Sequence, residues 1–342
     1  MKELSTLSNK AILGDALEIM KQIPSESVDM TFADPPFNLN KKYGKYYDEK
    51  NISDYFSWCN EWLQQMVRIT KPTGSIFVHN IPKWLTYYST LLNDLAKFKH
   101  WIAWDAMGAP LGKTILPNHY GILWYVKSDK FKFFDVRAPH RYCRECDALL
   151  KDYGGKKNQI HPFGTLISDV WTDIYRIRHV NRRDDHPCQL PIHLLERLIL
   201  MVTEEADIVL DPFLGTGTTA IAAKRLGRKY IGIDIDSEYI QIAQAKLEDT
   251  YPIKINNCYV SIFLDKIITI RDLDYDKIAP FLLTKQLYVK KGITKTLTQP
   301  TLNKSLVSTI ENPKSNILKK LELTPQIKLM EKKTGYKGIK QV

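Results

Sequence analysis

The residues best suited to chemistry are Asp34-Pro35-Pro36-Phe37, which close a stretch, Val28 to Ala33, that reads as a strand. Consecutive prolines carry no backbone N–H and stiffen the chain, so carbonyl acceptors are left beside one carboxylate. That arrangement suits an amino-group substrate. An aromatic amine is a poor nucleophile because its lone pair is delocalised into the ring. The Asp34 side chain and the Pro35 carbonyl could hold both amine hydrogens and localise that lone pair toward an electrophile, which is catalysis by positioning and electrostatics. Phe37 would stack on a base rotated out of a duplex. Taken alone, the tetrapeptide could equally be a proline-rich turn with a core phenylalanine.

A second constellation is Asp211-Pro-Phe213-Leu-Gly215-Thr216-Gly217-Thr218-Thr219, a glycine-rich turn between an apolar strand and a helix. It lacks the Gly-Lys-Ser/Thr ending of a phosphate-binding loop and the third glycine of a dinucleotide fingerprint, so phosphate binding is not expected. About 20 residues further on, Ile231-Gly-Ile-Asp234-Ile-Asp236 ends the next strand with an acid placed to accept hydrogen bonds from two ribose hydroxyls. An adenosyl ligand fits the pair.

The elements that must position these residues alternate strand and helix. A strand at Ala11 to Leu13 leads into a helix from Ala16 to Ile23 and the strand Val28 to Ala33. A helix over Ser53 to Ile69 is stopped by Lys71-Pro-Thr-Gly74 before a strand from Ser75 to His79. A helix over Lys83 to Ala96 and strands near Trp101 to Trp104 and Ile122 to Val126 follow. After an irregular stretch, a helix from Pro191 to Thr203 precedes a strand at Asp207 to Leu210, a helix at Thr218 to Leu226, a strand at Tyr230 to Ile235 and a helix at Tyr239 to Leu247. The fold class expected is α/β, a Rossmann-like doubly wound sheet.

The motifs together resemble the permuted beta group of DNA amino-methyltransferases. That group's Asp/Asn/Ser-Pro-Pro-aromatic motif corresponds to Asp34 through Phe37, and its Asp-Pro-Phe-x-Gly-x-Gly motif to Asp211 through Gly217. The order is also similar: catalytic motif first, then a target-recognition segment, then the cofactor motif. Protein-glutamine methyltransferases with Asn-Pro-Pro-Tyr carry the glycine loop upstream instead. Asp185-His186-Pro187-Cys-Gln189-Leu-Pro191 looks like the group's entry to the cofactor side, and Gly14-Asp15 like the strand end that meets the cofactor's adenine ring. The resemblance implies S-adenosyl-L-methionine as cofactor, with Asp15 at its adenine, Asp234 at its ribose, and His186 with Phe213 to Thr218 at its methionine part. It implies adenine-N6 methylation of duplex DNA, because cytosine-N4 members more often carry Ser at the first catalytic position. Cytosine stays the alternative, and a non-catalytic DNA-binding subunit that keeps the fold is the rival of another class. A cognate restriction endonuclease and a second copy of the chain are the candidate protein partners.

Four segments are expected: residues 1–126 as the catalytic half, 127–183 for target recognition, 184–250 as the cofactor half and 251–342 as a basic C-terminal extension. The formal net charge of +11 is concentrated in the last of these, with 17 Lys and Arg against 7 Asp and Glu. The 127–183 segment has 13 basic and 7 acidic residues, among them Arg137, Arg141, Arg144, Lys156 and Lys157. Two basic regions suggest a polyanionic partner. The start of the chain, MKELSTLSNK, lacks a signal-peptide pattern, and no apolar run of about 18 residues occurs, so a cytoplasmic protein with no membrane partner is expected. The five cysteines form no secreted-type framework. Cys143 and Cys146 with His140 and His161 lack a standard zinc spacing, so no metal is expected and the thiols are read as reduced.

Overall fold

The computed structural model describes residues 4–39, 42–43, 46–47, 49–106, 115, 117–134, 136–138, 165–177, 189–252, 260–263 and 266–269. The first part of the chain runs α1 (Leu4–Leu7), β1 (Lys10–Leu13), α2 (Ala16–Gln22), β2 (Val28–Ala33), β3 (Lys42–Tyr43), β4 (Tyr46–Tyr47), α3 (Ile52–Ile69), β5 (Thr70–Asn80) and α4 (Pro82–Asn93). Next come β6 (Lys97–Asp105), β7 (His119–Val126), β8 (Val136–Ala138), β9 (Thr165–Leu166) and β10 (Val170–Trp171). The last part holds α5 (Ile192–Val202), β11 (Ile208–Asp211), α6 (Thr218–Arg225), β12 (Lys229–Asp234), α7 (Ser237–Glu248), β13 (Val260–Phe263) and β14 (Lys266–Thr269).

Eight strands form the main sheet in the order β1-β12-β11-β2-β5-β7-β6-β10. The five from β1 to β5 are mutually parallel, and β7 runs against both of its neighbours. The late strands β11 and β12 therefore fill the gap between the early strands β1 and β2. All six residues of β2 are buried, as a central parallel strand requires, and its two polar side chains are partnered: Asp29 accepts from Lys71 Nζ at 2.9 Å and the Thr31 hydroxyl meets that of Thr70 at 3.1 Å. α3 buries Tyr55, Cys59, Trp62, Leu63 and Met66, an i, i+4, i+7, i+8, i+11 stripe. Its first turn is capped by Asn51, whose Oδ1 accepts from the Asp54 N–H at 3.0 Å.

Two expectations need correction. Lys71-Pro-Thr-Gly74 does not separate α3 from the next strand; β5 begins at Thr70 and runs through it. Val28 pairs with Thr70, and a register shift before Met30 and Ser75 absorbs the proline. Gly74 allows this because an added Cβ would lie 2.5 Å from the Asp29 carbonyl oxygen. The stretch from 127 to 183 is not wholly irregular either, since β10 pairs with β6 at the edge of the main sheet. Its Asp173 carboxylate receives the buried Arg197 of α5 through Nη1 at 3.0 Å and Nη2 at 2.5 Å.

The chain divides into two compact units, residues 1–136 with 167–260, and residues 137–166 with 261–342. A second sheet has the order β14-β13-β8-β9, so strands from the C-terminal region join strands from the inserted segment.

Candidate active site

Because β1, β12, β11 and β2 are parallel, their carboxyl ends share one edge of the sheet. Leu13 pairs with Asp234 and Asp211 with Gly232, so the strands finish nearly level. Gly14 follows β1, Asp34 follows β2, and Asp211 and Asp234 end their own strands. A cavity of about 290 Å³ opens there, at the position where open α/β sheets bind ligands. Asp15, Asp34 through Phe37, Asp211, Phe213, Gly215, Thr216, Thr218 and Asp234 all line it. Gly217 lies just behind, as the N-cap of α6. His186, Cys143 and Cys146 lie outside the described residues.

On the cofactor side, carboxylates are held by nearby backbone. Asp211 Oδ1 accepts from the Phe213 N–H at 2.9 Å, and its Oδ2 from the Thr219 hydroxyl at 2.6 Å. Asp234 Oδ2 accepts from the Gly215 N–H at 2.7 Å, and its Oδ1 from the Asp236 N–H at 2.9 Å. Asp15 caps α2 through the N–H groups of Leu17 and Glu18 at 2.9 and 3.1 Å. Gly217 has φ +94°, and a Cβ there would stand 2.8 Å from that of Ala243, so only glycine lets α6 start this close to α7. Burial pushes the Asp211 carboxyl up to about 7, with the charges of Asp34 and Asp234 adding to the effect. Burial also raises Asp234, against the opposing pull of the Asp236 and Gly215 amides.

The catalytic side is held by distant side chains. The Tyr55 hydroxyl donates to the Pro36 carbonyl at 2.7 Å, and the Trp84 indole N–H to the Phe37 carbonyl at 2.5 Å. His79 Nδ1 lies 2.7 Å from Asp34 Oδ1. The Pro36 and Phe37 carbonyls are thus occupied, and the Asp34 carboxylate, which lines the cavity, has its Oδ1 engaged by His79. Phe37 is more enclosed than an open stacking platform, at 4% exposure, with its ring against those of His79 and Tyr120.

The motifs alone did not single out His79, Tyr55 or Trp84, nor Lys50, Trp58 and Leu190 in the cavity wall. His79 had one signal, a polar residue directly after the apolar run Ile76 to Val78. The charged lining is five carboxylates, Asp15, Asp34, Asp211, Asp234 and Asp236, against Lys50 alone among the described residues. Such a wall repels phosphates and attracts a cation. With its glycine loop and apolar faces at Phe213 and Ile235, it fits a ligand carrying both an adenosyl group and positive charge. Among the described residues no cluster of metal-binding side chains is present, and no helix is long and apolar enough to cross a membrane.

The family model for DNA methylases of the N6/N4 type matches residues 28–245, and the chain belongs to that family. It is 47% identical over 225 residues to the type II methyltransferase M.BamHI of Bacillus amyloliquefaciens, a match covering 65% of this chain and 53% of that protein. The chain thus spans about half the length of that relative. With the DNA adenine methyltransferase YhdJ of Escherichia coli (strain K12) it shares 35% identity over 243 residues, covering 69% of this chain and 82% of the relative. The fold is also that of the Thermus thermophilus protein TTHA0409, solved with S-adenosyl-L-methionine, at TM-score 0.51 and 21% identity, covering 71% and 95% of the two chains.

Proposed function

We propose that the chain is a site-specific DNA methyltransferase moving a methyl group from S-adenosyl-L-methionine to the N6 amine of adenine in duplex DNA. The observation that carries this reading is the single acidic cavity shared by Asp34-Pro35 and the Asp211 to Asp234 apparatus. S-adenosyl-L-methionine, when bound, supplies an electrophilic methyl group on a positively charged sulfur. Asp15 and Asp234 hold its adenosine, and Phe213 through Thr218, with His186, hold its methionine part. Asp34 Oδ2 and the Pro35 carbonyl each accept a hydrogen bond from one amine N–H, which turns the nitrogen lone pair toward the methyl group, and the single proton that methylation releases passes to solvent. Phe37 packs against the flipped base where its ring meets the cavity. The name of YhdJ and the aspartate at position 34 favour adenine; cytosine N4 is the second reading, because the family's own name spans both amines.

DNA is held by the unit of residues 137–166 and 261–342, which carries Arg137, Arg141, Arg144 and most of the net positive charge of the chain. The type II designation of M.BamHI supports a place beside a cognate restriction endonuclease. A homodimer and a cytoplasmic location complete the proposal. The test is incubation of the protein with methyl-labelled cofactor and duplex DNA, followed by digestion to nucleosides and mass spectrometry. N6-methyladenine is the expected product. N4-methylcytosine would transfer the reading to cytosine, and no labelled nucleoside would overturn it.

A further inference from the structure

The motifs account for Asp34 but leave its neighbour on β5 unexplained. Ala33 pairs with Val78 across β2 and β5, so the next residues, Asp34 and His79, are level at the same sheet edge. His79 is 2% exposed, and its Nδ1 lies 2.7 Å from Asp34 Oδ1. Its other nitrogen, Nε2, is buried without a hydrogen-bond partner among the described residues. Rings surround the imidazole, with centroids at 5.3 Å for Tyr120, 5.8 Å for Trp104 and 6.0 Å for Phe37. The ring therefore spends its one polar contact on Asp34.

We propose that His79 is a positioning residue for amine transfer: its Nδ1–H donates to Asp34 Oδ1, fixing the carboxylate so that Oδ2 alone faces the base amine. The physical reason is entropic as well as electrostatic. A carboxylate free to rotate offers either oxygen at many angles, whereas one held at Oδ1 presents Oδ2 in one direction. An ionised carboxylate can only accept, so the shared hydrogen sits on Nδ1 of the ring. Phe37 rests on the same imidazole, so one side chain buttresses both ends of the catalytic tetrapeptide. A core histidine retained for packing alone would not need its polar atom aimed at the reactive carboxylate.

The inference rests on the proposed amine-methylating reading, and two substitutions of similar size separate it from a packing role. In His79→Asn the side-chain amide nitrogen falls near the position of Nδ1, while in His79→Gln it falls near that of Nε2. Single-turnover methylation by His79→Gln should fall about 100-fold, and by His79→Asn less than about tenfold, with DNA and cofactor dissociation constants within about threefold of the wild type. Equal rates for the two variants at equal melting temperature would overturn the proposal, as would a wild-type rate for His79→Gln. A second arm needs no turnover. Nitrogen-15 spectra of the wild type should show a protonated His79 Nδ1 whose signal shifts in Asp34→Ala. A ring protonated only at Nε2 would overturn the assignment even if the wild type methylates DNA. If the wild type transfers no methyl group while the spectra show the Nδ1–H contact, it is the function that fails and not the contact.

Discussion

Asp34-Pro35-Pro36-Phe37 and Asp211 through Thr219 end neighbouring strands of one sheet, yet they are held by opposite means. In the second, every hydrogen bond to the Asp211 carboxylate comes from within eight residues of the chain. In the first, the supports come from α3, β5 and α4, at positions 55, 79 and 84. The Asp211 end of that loop is a local device, although its Gly215 N–H also reaches the Asp234 carboxylate on the next strand. The Asp34 to Phe37 turn is a tertiary device, locked by side chains whose places depend on how whole helices pack. The difference predicts that damage on the cofactor side will show as binding and stability, and damage on the catalytic side as rate.

The largest expected effect is on the catalytic side. Asp34→Ala removes the carboxylate proposed to hold the amine and should lower single-turnover methylation by about 10³-fold. DNA affinity measured by filter binding should stay within a few-fold. Full activity in this variant would break the division at its centre. Next comes Gly217→Val. At φ +94°, with Ala243 already 2.8 Å from any Cβ, a branched residue should cost about 3 kcal/mol in denaturant unfolding and weaken cofactor binding. Its rate at saturating cofactor should fall far less than that of Asp34→Ala.

A pH test sharpens the cofactor side. The buried Asp211 carboxyl is raised from 3.8 to about 7. Between those values the folded chain holds a proton that the unfolded chain has released. Asp211 therefore contributes stability below about pH 4 that is lost as pH rises through about 7. Asp211→Asn removes this titration. The stability of the variant relative to wild type, measured by urea unfolding without cofactor, should improve by about 2 kcal/mol between pH 5 and pH 8. An unchanged difference across that range would show that the carboxyl is charged throughout.

What could be read from the sequence follows the same line. The Asp211 loop, Asp234 and the sheet strands were legible because their signals are local: period, glycine spacing, and an acid at a strand end. The catalytic tetrapeptide was legible, but its supports were not. Tyr55 and Trp84 fall within the expected helices, but nothing in a helical stripe says which hydroxyl or indole N–H reaches a carbonyl 19 or 47 residues away. The break at Lys71 to Gly74 was misread for a similar reason. Proline and glycine announce a turn, whereas pairing with β2 carries the strand through them. The joining of β13 and β14 to β8 is likewise a long-range pairing that charge counts cannot reveal.

The smallest effect is the one that tests the catalytic side most finely. Tyr55→Phe deletes one oxygen from a buried helix face and leaves the ring contacts with Trp58 and Trp84 in place. The Pro36 carbonyl can only accept, so the Tyr55 hydroxyl spends its proton there. Its 2.6 Å contact with the Tyr88 hydroxyl must then use the proton of Tyr88. Tyr88 in turn receives the Asn80 side-chain amide at 3.3 Å, which links β5 to the prolines through α4 and α3. Removing the Tyr55 oxygen breaks this chain at its catalytic end and should cost about 1 kcal/mol of stability. If the relay fixes the proline carbonyls, methylation should slow about tenfold with the cofactor dissociation constant unchanged. A variant that loses stability yet keeps the full rate would confine Tyr55 to packing and leave His79 and Trp84 as the tertiary supports of that turn.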